Sequence, residues 1–170
     1  GFENRSIRRR ISYEQGKDSG DAVQAGAGQG AQEEPFPEEW EAGEEMKIGL
    51  IDVDSHHYPN LALMKISAYH KSRGDSVAWW WGFGQYDRVY MSKVFDDTYT
   101  PDMDEPLNAR EIVKGGTGYG LDNRLPEEIE HCEPDYSLYP ELTKDTAYGF
   151  LTRGCPNACP FCVVSGKEGR

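Results

Sequence analysis

The run KIGLIDV, residues 47–53, most constrains the fold of this chain. It is mostly apolar, and it passes directly into the polar stretch DSHHY. A short apolar run bounded in this way is typical of a parallel strand buried on both faces. A helical pattern follows at once, because Pro59 suits a first helical turn and Gly74 ends a stretch rich in apolar side chains. The sequence therefore predicts a strand followed by a helix.

Further strand and helix patterns follow along the chain. Strands are predicted for four more segments, which are 75–80, 87–94, 111–116 and 146–154. A short helix is predicted to start within 125–131, and the connection 95–110 has no regular period. Alternation of strands and helices predicts an α/β fold with a parallel sheet covered on both faces, of the flavodoxin-like or Rossmann-like kind.

Residues 1–45 differ in composition from the rest of the chain. They are rich in Gly, Ala, Gln and Glu, show no regular period, and carry eleven acidic and five basic side chains. Their few large apolar side chains contribute at most about 20 kcal/mol, whereas ordering the backbone costs about 1 to 2 kcal/mol per residue. We therefore predict a disordered tail or a translated leader. The codons for Gly43-Glu44-Glu45 can spell a bacterial ribosome-binding site, which would make Met46 the true start.

The acidic composition argues against some functions. A formal net charge of −12 disfavours nucleic-acid binding by this chain, because contacts with phosphate need a basic surface. No apolar run approaches the length of a membrane span, and no signal-peptide core is found near the N-terminus. We expect a cytoplasmic protein without membrane contact.

The segment CPNACPFC, residues 155–162, holds three of the four cysteines of the chain. Three small side chains on one helix face are one interpretation, but Pro160 would remove a backbone donor from that helix. A disulfide framework is disfavoured because neighbours in one loop link nothing distant. Metal binding is favoured, either of zinc with Cys132 or His131 as fourth ligand, or of a four-iron cluster with one iron left open. An electron-transfer cluster and free thiols remain alternatives.

The order of these residues resembles the signature of the radical S-adenosylmethionine superfamily. That signature is Cys-x3-Cys-x2-Cys with an aromatic residue directly before the last cysteine. Cys155, Cys159 and Cys162 match the cysteines, Phe161 takes the aromatic position, and TRG at 152–154 matches the common lead-in.

This resemblance implies that Cys155, Cys159 and Cys162 ligate a 4Fe-4S cluster whose open iron chelates S-adenosylmethionine. One electron from the cluster would cleave that cofactor into methionine and a 5′-deoxyadenosyl radical, which abstracts hydrogen from a substrate. The resemblance assigns Phe161 to the adenine side of the cofactor. The implied activity is that of a radical S-adenosylmethionine enzyme of unknown reaction, with a flavodoxin or ferredoxin as electron donor.

The resemblance also implies a division into domains. The stretches MKIGLIDVDSHHYPNLALMKISAYHK, KGGTGYG and YGFLTRGCP resemble a bacterial group with an α/β domain before the cysteine motif. Residues 46–140 would form this cobalamin-binding-like domain. Residues 141–170 would begin a radical S-adenosylmethionine (β/α) barrel, with 146–154 as its first strand. Because most of that barrel would lie beyond Arg170, this chain is expected to hold a cluster without turning over.

Cobalamin is a further candidate cofactor of the α/β domain. Some cobalamin-binding domains carry Asp-x-His-x-x-Gly, in which the histidine binds the metal. Asp54 and His56 match this pattern, whereas Pro59 stands where the glycine is expected. Histidine ligation of cobalamin therefore remains open.

The main alternative is a non-catalytic α/β module, such as a receiver-like binding domain with a structural zinc or iron–sulfur loop. Asp52, Asp54, His56 and His57 follow the first predicted strand, at the edge where open α/β sheets bind ligands. A polar turn before a helix explains the same residues. The motif GGTGYG, residues 115–120, is likewise interpreted as a tight turn or as a close approach to a ligand.

Overall fold

The computed structural model describes residues 45–55, 57–157 and 159–169. The prediction of a disordered or leader segment falls on residues 1–45, which lie outside this range apart from Glu45. The strands are β1 (Lys47–Asp52), β2 (Ser76–Trp79), β3 (Tyr86–Ser92) and β4 (Ala109–Gly115). The helices are α1 (Leu61–Ser72), α2 (Glu127–Glu130) and α3 (Val164–Lys167), and Tyr136–Leu138 forms a 3-10 turn.

The four strands form one parallel sheet in the order β2-β1-β3-β4. In the centre of the sheet, Ile48 of β1 pairs with Val77 of β2 on one side and with Arg88 of β3 on the other. The first four strands of a flavodoxin-like doubly wound sheet have this order. The predicted α/β class with a parallel sheet is therefore confirmed, and β1 to β4 each overlap a predicted strand.

Two apolar clusters form the core, one on each face of the sheet. Alternation along β1 sends Ile48 and Leu50 to the cluster that contains Leu63 and Ile66 of α1. Ile51 belongs to the second cluster. That cluster contains Val89 and Met91 of β3 and is covered by Trp80, Tyr86, Met103 and Tyr119. Within the described residues, irregular segments rather than a helix cover this second face.

Local signals at both ends explain the limits of α1. Asn60 caps the helix by accepting a hydrogen bond from the backbone N–H of Leu63, at 3.3 Å. Pro59 therefore precedes the cap instead of occupying the first turn, as the sequence had suggested. Gly74 has a positive φ of 89°, and the backbone N–H of Asp75 donates to the carbonyl of His70. This bond closes the helix in a Schellman motif.

The tryptophans of WWW, residues 79–81, point in different directions, as strand alternation requires. Trp80 enters the second cluster, and its indole N–H donates to Asn108 at 2.8 Å. Trp79 packs edge-on against Tyr139, whereas Trp81 is exposed. The side-chain amide of Asn108 also donates to the carbonyls of Trp81 and Gly84, which fixes the short crossing from β2 to β3.

The prediction of a strand over 146–154 is wrong. This segment is irregular, and among the described residues no strand pairs with it. Phe150 is 63% exposed and Leu151 is fully exposed, so the apolar run does not enter the core. An isolated extended segment leaves its backbone groups without a ladder partner, and apolar composition alone does not form a strand. In the described structure, residues 146–154 therefore do not form the strand that was predicted to begin a barrel.

Candidate functional site

The cysteine loop, residues 155–162, is not helical in its described residues. The backbone N–H of Cys159 donates to Asn157 at 2.9 Å, and that of Cys162 donates to Cys159 at 3.1 Å. The second of these bonds encloses a turn at 160–161, and α3 begins only at Val164. The interpretation of three hydrophobic side chains on one helix face is therefore wrong, for the reason that Pro160 suggested.

A backbone hydrogen bond joins the two ends of residues 155–169, which we call the cysteine segment. We call this closing contact the neck. The backbone N–H of Cys155 donates to the carbonyl of Gly169 at 3.2 Å, so residues 155–169 form a closed loop. Gly154 has a positive φ of 83°, and a Cβ built there would lie 2.9 Å from the Gly169 carbonyl oxygen. Only glycine takes this conformation and this close approach without strain.

The thiols of Cys155, Cys159 and Cys162 are free and partly exposed. Among the described residues, no three side chains of Cys, His, Asp or Glu are grouped closely enough to hold a metal ion. The donor chemistry nevertheless suits an iron–sulfur cluster, because free thiols on an irregular loop are its usual ligands. Metal binding commonly organises its own ligands, so a loop with ungathered thiols is compatible with such a site.

The two residues considered as a fourth zinc ligand each contact the backbone of α2. Cys132 donates its thiol proton to the carbonyl of Glu128 at 3.3 Å. The Nδ1 atom of His131 lies 2.7 Å from the carbonyl oxygen of Glu127. Since both side chains contact their own helix, the structure gives no indication that either reaches the cysteine loop.

Phe161 is 90% exposed and takes no part in either core cluster. An exposed phenylalanine between a proline and a cysteine does not stabilise the fold by burial. Its position leaves the ring free to contact a ligand bound beside the thiols.

The end of the segment is attached to the loop after β4. The ammonium group of Lys167 donates to the carbonyls of Asn123 and Leu121, at 2.9 and 3.3 Å. The guanidinium of Arg124 donates in turn to the carbonyl of Lys167. Reciprocal bonds of this kind hold α3 against residues 121–124.

A cleft of about 430 Å³ lies beside the start of the cysteine segment. One wall is the strap, defined as residues 148–153, and the other walls come from the start of α1 and from residues 130–136. Its lining mixes charged and aromatic side chains, which include Lys65, Glu130, Tyr136 and Arg153. The cleft therefore separates much of the strap from the α/β layer, by which we mean the four-stranded sheet with α1 and α2.

The acidic residues at the carboxyl edge of β1 have structural partners. Both oxygens of Asp54, which is 6% exposed, accept backbone N–H groups, from Val94 at 2.7 Å and Phe95 at 2.8 Å. Asp52 accepts from the backbone N–H of Ser55 and from the hydroxyl of Tyr139. Burial, and then this bond to Asp52, raise the pKa of Tyr139. The structure thus favours the interpretation of this motif as a polar turn.

Of the two histidines in this motif, the structure describes only His57. His57 is exposed, and His56 lies outside the described residues, so the proposed histidine ligation of cobalamin is not described either. Asn60 donates to the hydroxyls of Ser92 and Ser55, at 2.9 and 3.2 Å, which fills the space at the ends of β1 and β3. Every buried polar side-chain atom in the described part of the chain has a hydrogen-bond partner.

The glycines of GGTGYG make a close approach to backbone rather than to a ligand. A Cβ at Gly116 would lie 2.3 Å from the carbonyl oxygen of Lys93, and one at Gly118 would lie 2.2 Å from that of Phe95. The side chain of Lys93 is fully buried, forms an ion pair with Asp97 and lies over the ring of Tyr119. Nothing in the sequence pattern had singled out this lysine.

Comparisons of this chain with protein-family models, with curated proteins and with solved structures found no match. No helix in the described ranges has the length and apolar character needed to cross a membrane.

Proposed function

We propose that this chain carries the cluster-binding loop of a radical S-adenosylmethionine enzyme. Cys155, Cys159 and Cys162 would hold a 4Fe-4S cluster, and Phe161 would contact the adenine of S-adenosylmethionine. When bound, the cluster supplies the electron that cleaves this cofactor. A flavodoxin or ferredoxin is the proposed electron donor.

The observation that carries the proposal is the conformation of the cysteine loop. Three free, partly exposed thiols in the order Cys-x3-Cys-x2-Cys lie on an irregular segment that is closed at its neck by Cys155 and Gly169. Burial in a core does not explain three partly exposed cysteines beside a phenylalanine that is 90% exposed. Three soft donors, without a fourth protein ligand among the residues that the structure describes, suit a cluster in which one iron stays open.

The α/β layer is proposed to act as the domain that supports this loop. Its parallel sheet and strand order are compatible with a cobalamin-binding-like domain. The carboxyl edge of β1 and β3 is filled by bonds among Asp54, Asn60, Ser92 and their neighbours. Cobalamin therefore remains a secondary proposal, since a ligand at this edge would have to displace those contacts.

Anaerobic reconstitution with iron and sulfide tests the cysteine proposal. We expect a visible spectrum typical of a 4Fe-4S cluster and, after reduction with dithionite, an electron paramagnetic resonance signal that S-adenosylmethionine perturbs. Cys159→Ser is expected to abolish this signal, whereas Cys132→Ser serves as the matched control and is expected to retain it. A colourless protein that holds one zinc ion per chain would instead support the non-catalytic module.

The proposed contact of Phe161 is tested in the same preparation. Phe161→Ala is expected to leave the cluster spectrum without S-adenosylmethionine unchanged and to weaken the perturbation that the cofactor causes. Phe83, which is 79% exposed on the crossing from β2 to β3, provides the control Phe83→Ala. Equal responses of the two variants to the cofactor would contradict the role of Phe161.

A further inference from the structure

Arg153 lies just before the cysteine segment and forms ion pairs with the α/β layer and with the far end of that segment. Its Nη2 atom lies 2.5 Å from Oε1 of Glu130 in α2, and its Nη1 atom lies 3.2 Å from Oε2 of Glu168, directly after α3. The guanidinium also lies over the ring of Phe150, 4.7 Å from its centroid. One side chain immediately before the neck therefore contacts the chain before and after the cysteines.

Glu130 is held firmly by the core of the α/β layer. The ammonium of Lys65 lies 2.7 Å from the same Oε1 atom and also donates to the Glu130 carbonyl, at 2.5 Å. The side chain of Lys65 is only 15% exposed. The preceding residue, Ile129, is 2% exposed and belongs to the first apolar cluster. Arg153 thus binds a carboxylate whose position α1 and α2 already fix.

The strap has few other attachments to this layer. At its start, the hydroxyl of Tyr136 donates to the carbonyl of Tyr148 and accepts from its backbone N–H. Between Tyr148 and Gly154, the described residues show one more hydrogen bond to the layer, from Arg153 to Glu130. The exposed Phe150 and Leu151 and the cleft lie between these two points.

We propose that Arg153 is a positioning residue that fixes the cysteine loop on the α/β layer through Glu130 and Glu168. This inference rests on the proposed function, because the loop it positions is the proposed cluster site. Arg153 contacts no thiol in the structure and acts through the neck, which it holds closed beside the bond from Cys155 to Gly169.

The two carboxylates explain why an arginine suits this position. Glu130 and Glu168 contact different terminal nitrogens of one planar guanidinium. A lysine offers a single ammonium point on a flexible stem and does not reproduce this fork. Arg153→Lys is therefore expected to hold the cysteine loop on the α/β layer only in part, and Arg153→Gln is expected not to hold it.

The first measurement is hydrogen exchange of the full chain without metal. We expect Arg153→Gln to accelerate exchange in peptides that span 150–169, with little change in peptides from β1 and β3. Glu130→Gln is expected to act in the same direction. Arg110, which is 72% exposed and pairs with Asp87 in the sheet, gives the matched control Arg110→Gln. Equal protection of residues 150–169 from hydrogen exchange in Arg153→Gln and Arg110→Gln would overturn the proposed role of Arg153.

The second measurement is iron uptake after anaerobic reconstitution. Loss of a partner that orients metal ligands typically costs about 10-fold to 100-fold in affinity, and we expect Arg153→Gln to fall in this range. The iron affinity of Arg153→Lys is expected to lie between those of Arg153→Gln and the unmodified chain. The reduction potential of the cluster should change less in Arg153→Lys than in Arg153→Gln. Unchanged iron affinity and potential in Arg153→Gln would refute the positioning role.

These measurements separate the two proposals. If the unmodified chain takes up no cluster, the proposed function fails. The positioning role then fails with it, even if hydrogen exchange shows that Arg153 protects residues 150–169. If the unmodified chain binds a cluster and Arg153→Gln binds it equally well, only the positioning role fails. Cluster uptake that depends on Arg153 and Glu130 but not on Arg110 supports both.

Discussion

Asp54 and Val94 lie 40 residues apart in the chain and are joined by a hydrogen bond of 2.7 Å from the backbone N–H to the carboxylate. The second oxygen of Asp54 accepts the next backbone N–H, that of Phe95. One carboxylate therefore fixes the chain leaving β3 against the chain leaving β1. Asp54 therefore has a structural role at the carboxyl edge of the sheet.

Asp54→Asn is expected to destabilise the fold. An asparagine offers one acceptor and turns its amide donor toward a backbone N–H, so one buried donor loses its partner. Hydrogen bonds to charged groups contribute about 1.5 to 3 kcal/mol, and we expect a loss of similar size in the free energy of unfolding. Urea unfolding followed by circular dichroism measures it, with Asp104→Asn on the exposed β3–β4 connection as control. Equal stability of the two variants would contradict the structural role of Asp54.

The glycine motif after β4 allows a matched comparison between neighbours. Gly116→Ala would bring a Cβ within 2.3 Å of a backbone carbonyl at a φ of 96°, whereas Gly115→Ala meets nothing within 4 Å. Since backbone cannot move aside cheaply, we expect Gly116→Ala to lower the free energy of unfolding by about 3 kcal/mol or more. Gly115→Ala is expected to be nearly neutral. Thermal unfolding of both variants tests this, and similar melting temperatures would contradict the close approach of Gly116 to the Lys93 carbonyl.

The local sequence predicts the sheet strands and α1 well, for physical reasons that are visible in the chain. β1 is a bounded apolar run, and the Asn60 cap and Gly74 limit α1. The sequence fails at 146–154, where an apolar run suggested a strand. A strand needs a neighbouring strand to pair its backbone N–H and C=O groups. The local sequence of a segment does not show whether such a neighbour is present.

The irregular conformation of the cysteine loop is predictable from the sequence, whereas the contacts that hold the loop in place are not. Pro160 predicts that residues 155–162 do not form a helix, and their described residues do not. The ion pair between Arg153 and Glu130 joins residues 23 positions apart, and the hydrogen bond between Val94 and Asp54 joins residues 40 positions apart. Both contacts therefore depend on packing that brings distant segments together. Lys93 is fully buried although its neighbours in the chain give no sign of it.

Asp135 gives the fold an acid-sensitive contact. Burial alone would raise its pKa, but hydrogen bonds from Lys71, Ser137 and Ser67 outweigh burial and lower the pKa to about 2. The folded state therefore favours the ionised form, and its contribution to stability is lost as the pH falls from about 4 toward about 2. Allowing for screening by solvent, we expect this contribution to be about 1 kcal/mol.

Unfolding measured between pH 5 and pH 2 tests the role of Asp135. Asp135→Asn is expected to lower the stability at pH 5 and to flatten its decline in acid. Lys71→Gln removes the hydrogen-bonding partner with the largest effect on this pKa, so it should flatten the decline in part. An acid decline that is as steep in Asp135→Asn as in the unmodified chain would exclude this carboxyl group as its source.

Gly154→Ala tests the neck of the cysteine segment without touching a thiol. The added Cβ would lie 2.9 Å from the Gly169 carbonyl oxygen, at a φ of 83° that costs an alanine about 1 to 2 kcal/mol. We expect the bond from Cys155 to Gly169 to open and iron uptake to fall, while the sheet unfolds as before because this segment lies outside both apolar clusters. Gly149→Ala in the strap, where a Cβ meets nothing within 4 Å, is the control. Iron uptake that is unchanged in Gly154→Ala, together with faster exchange of the Cys155 amide, would show that a closed neck is not required for the cysteines to bind a cluster.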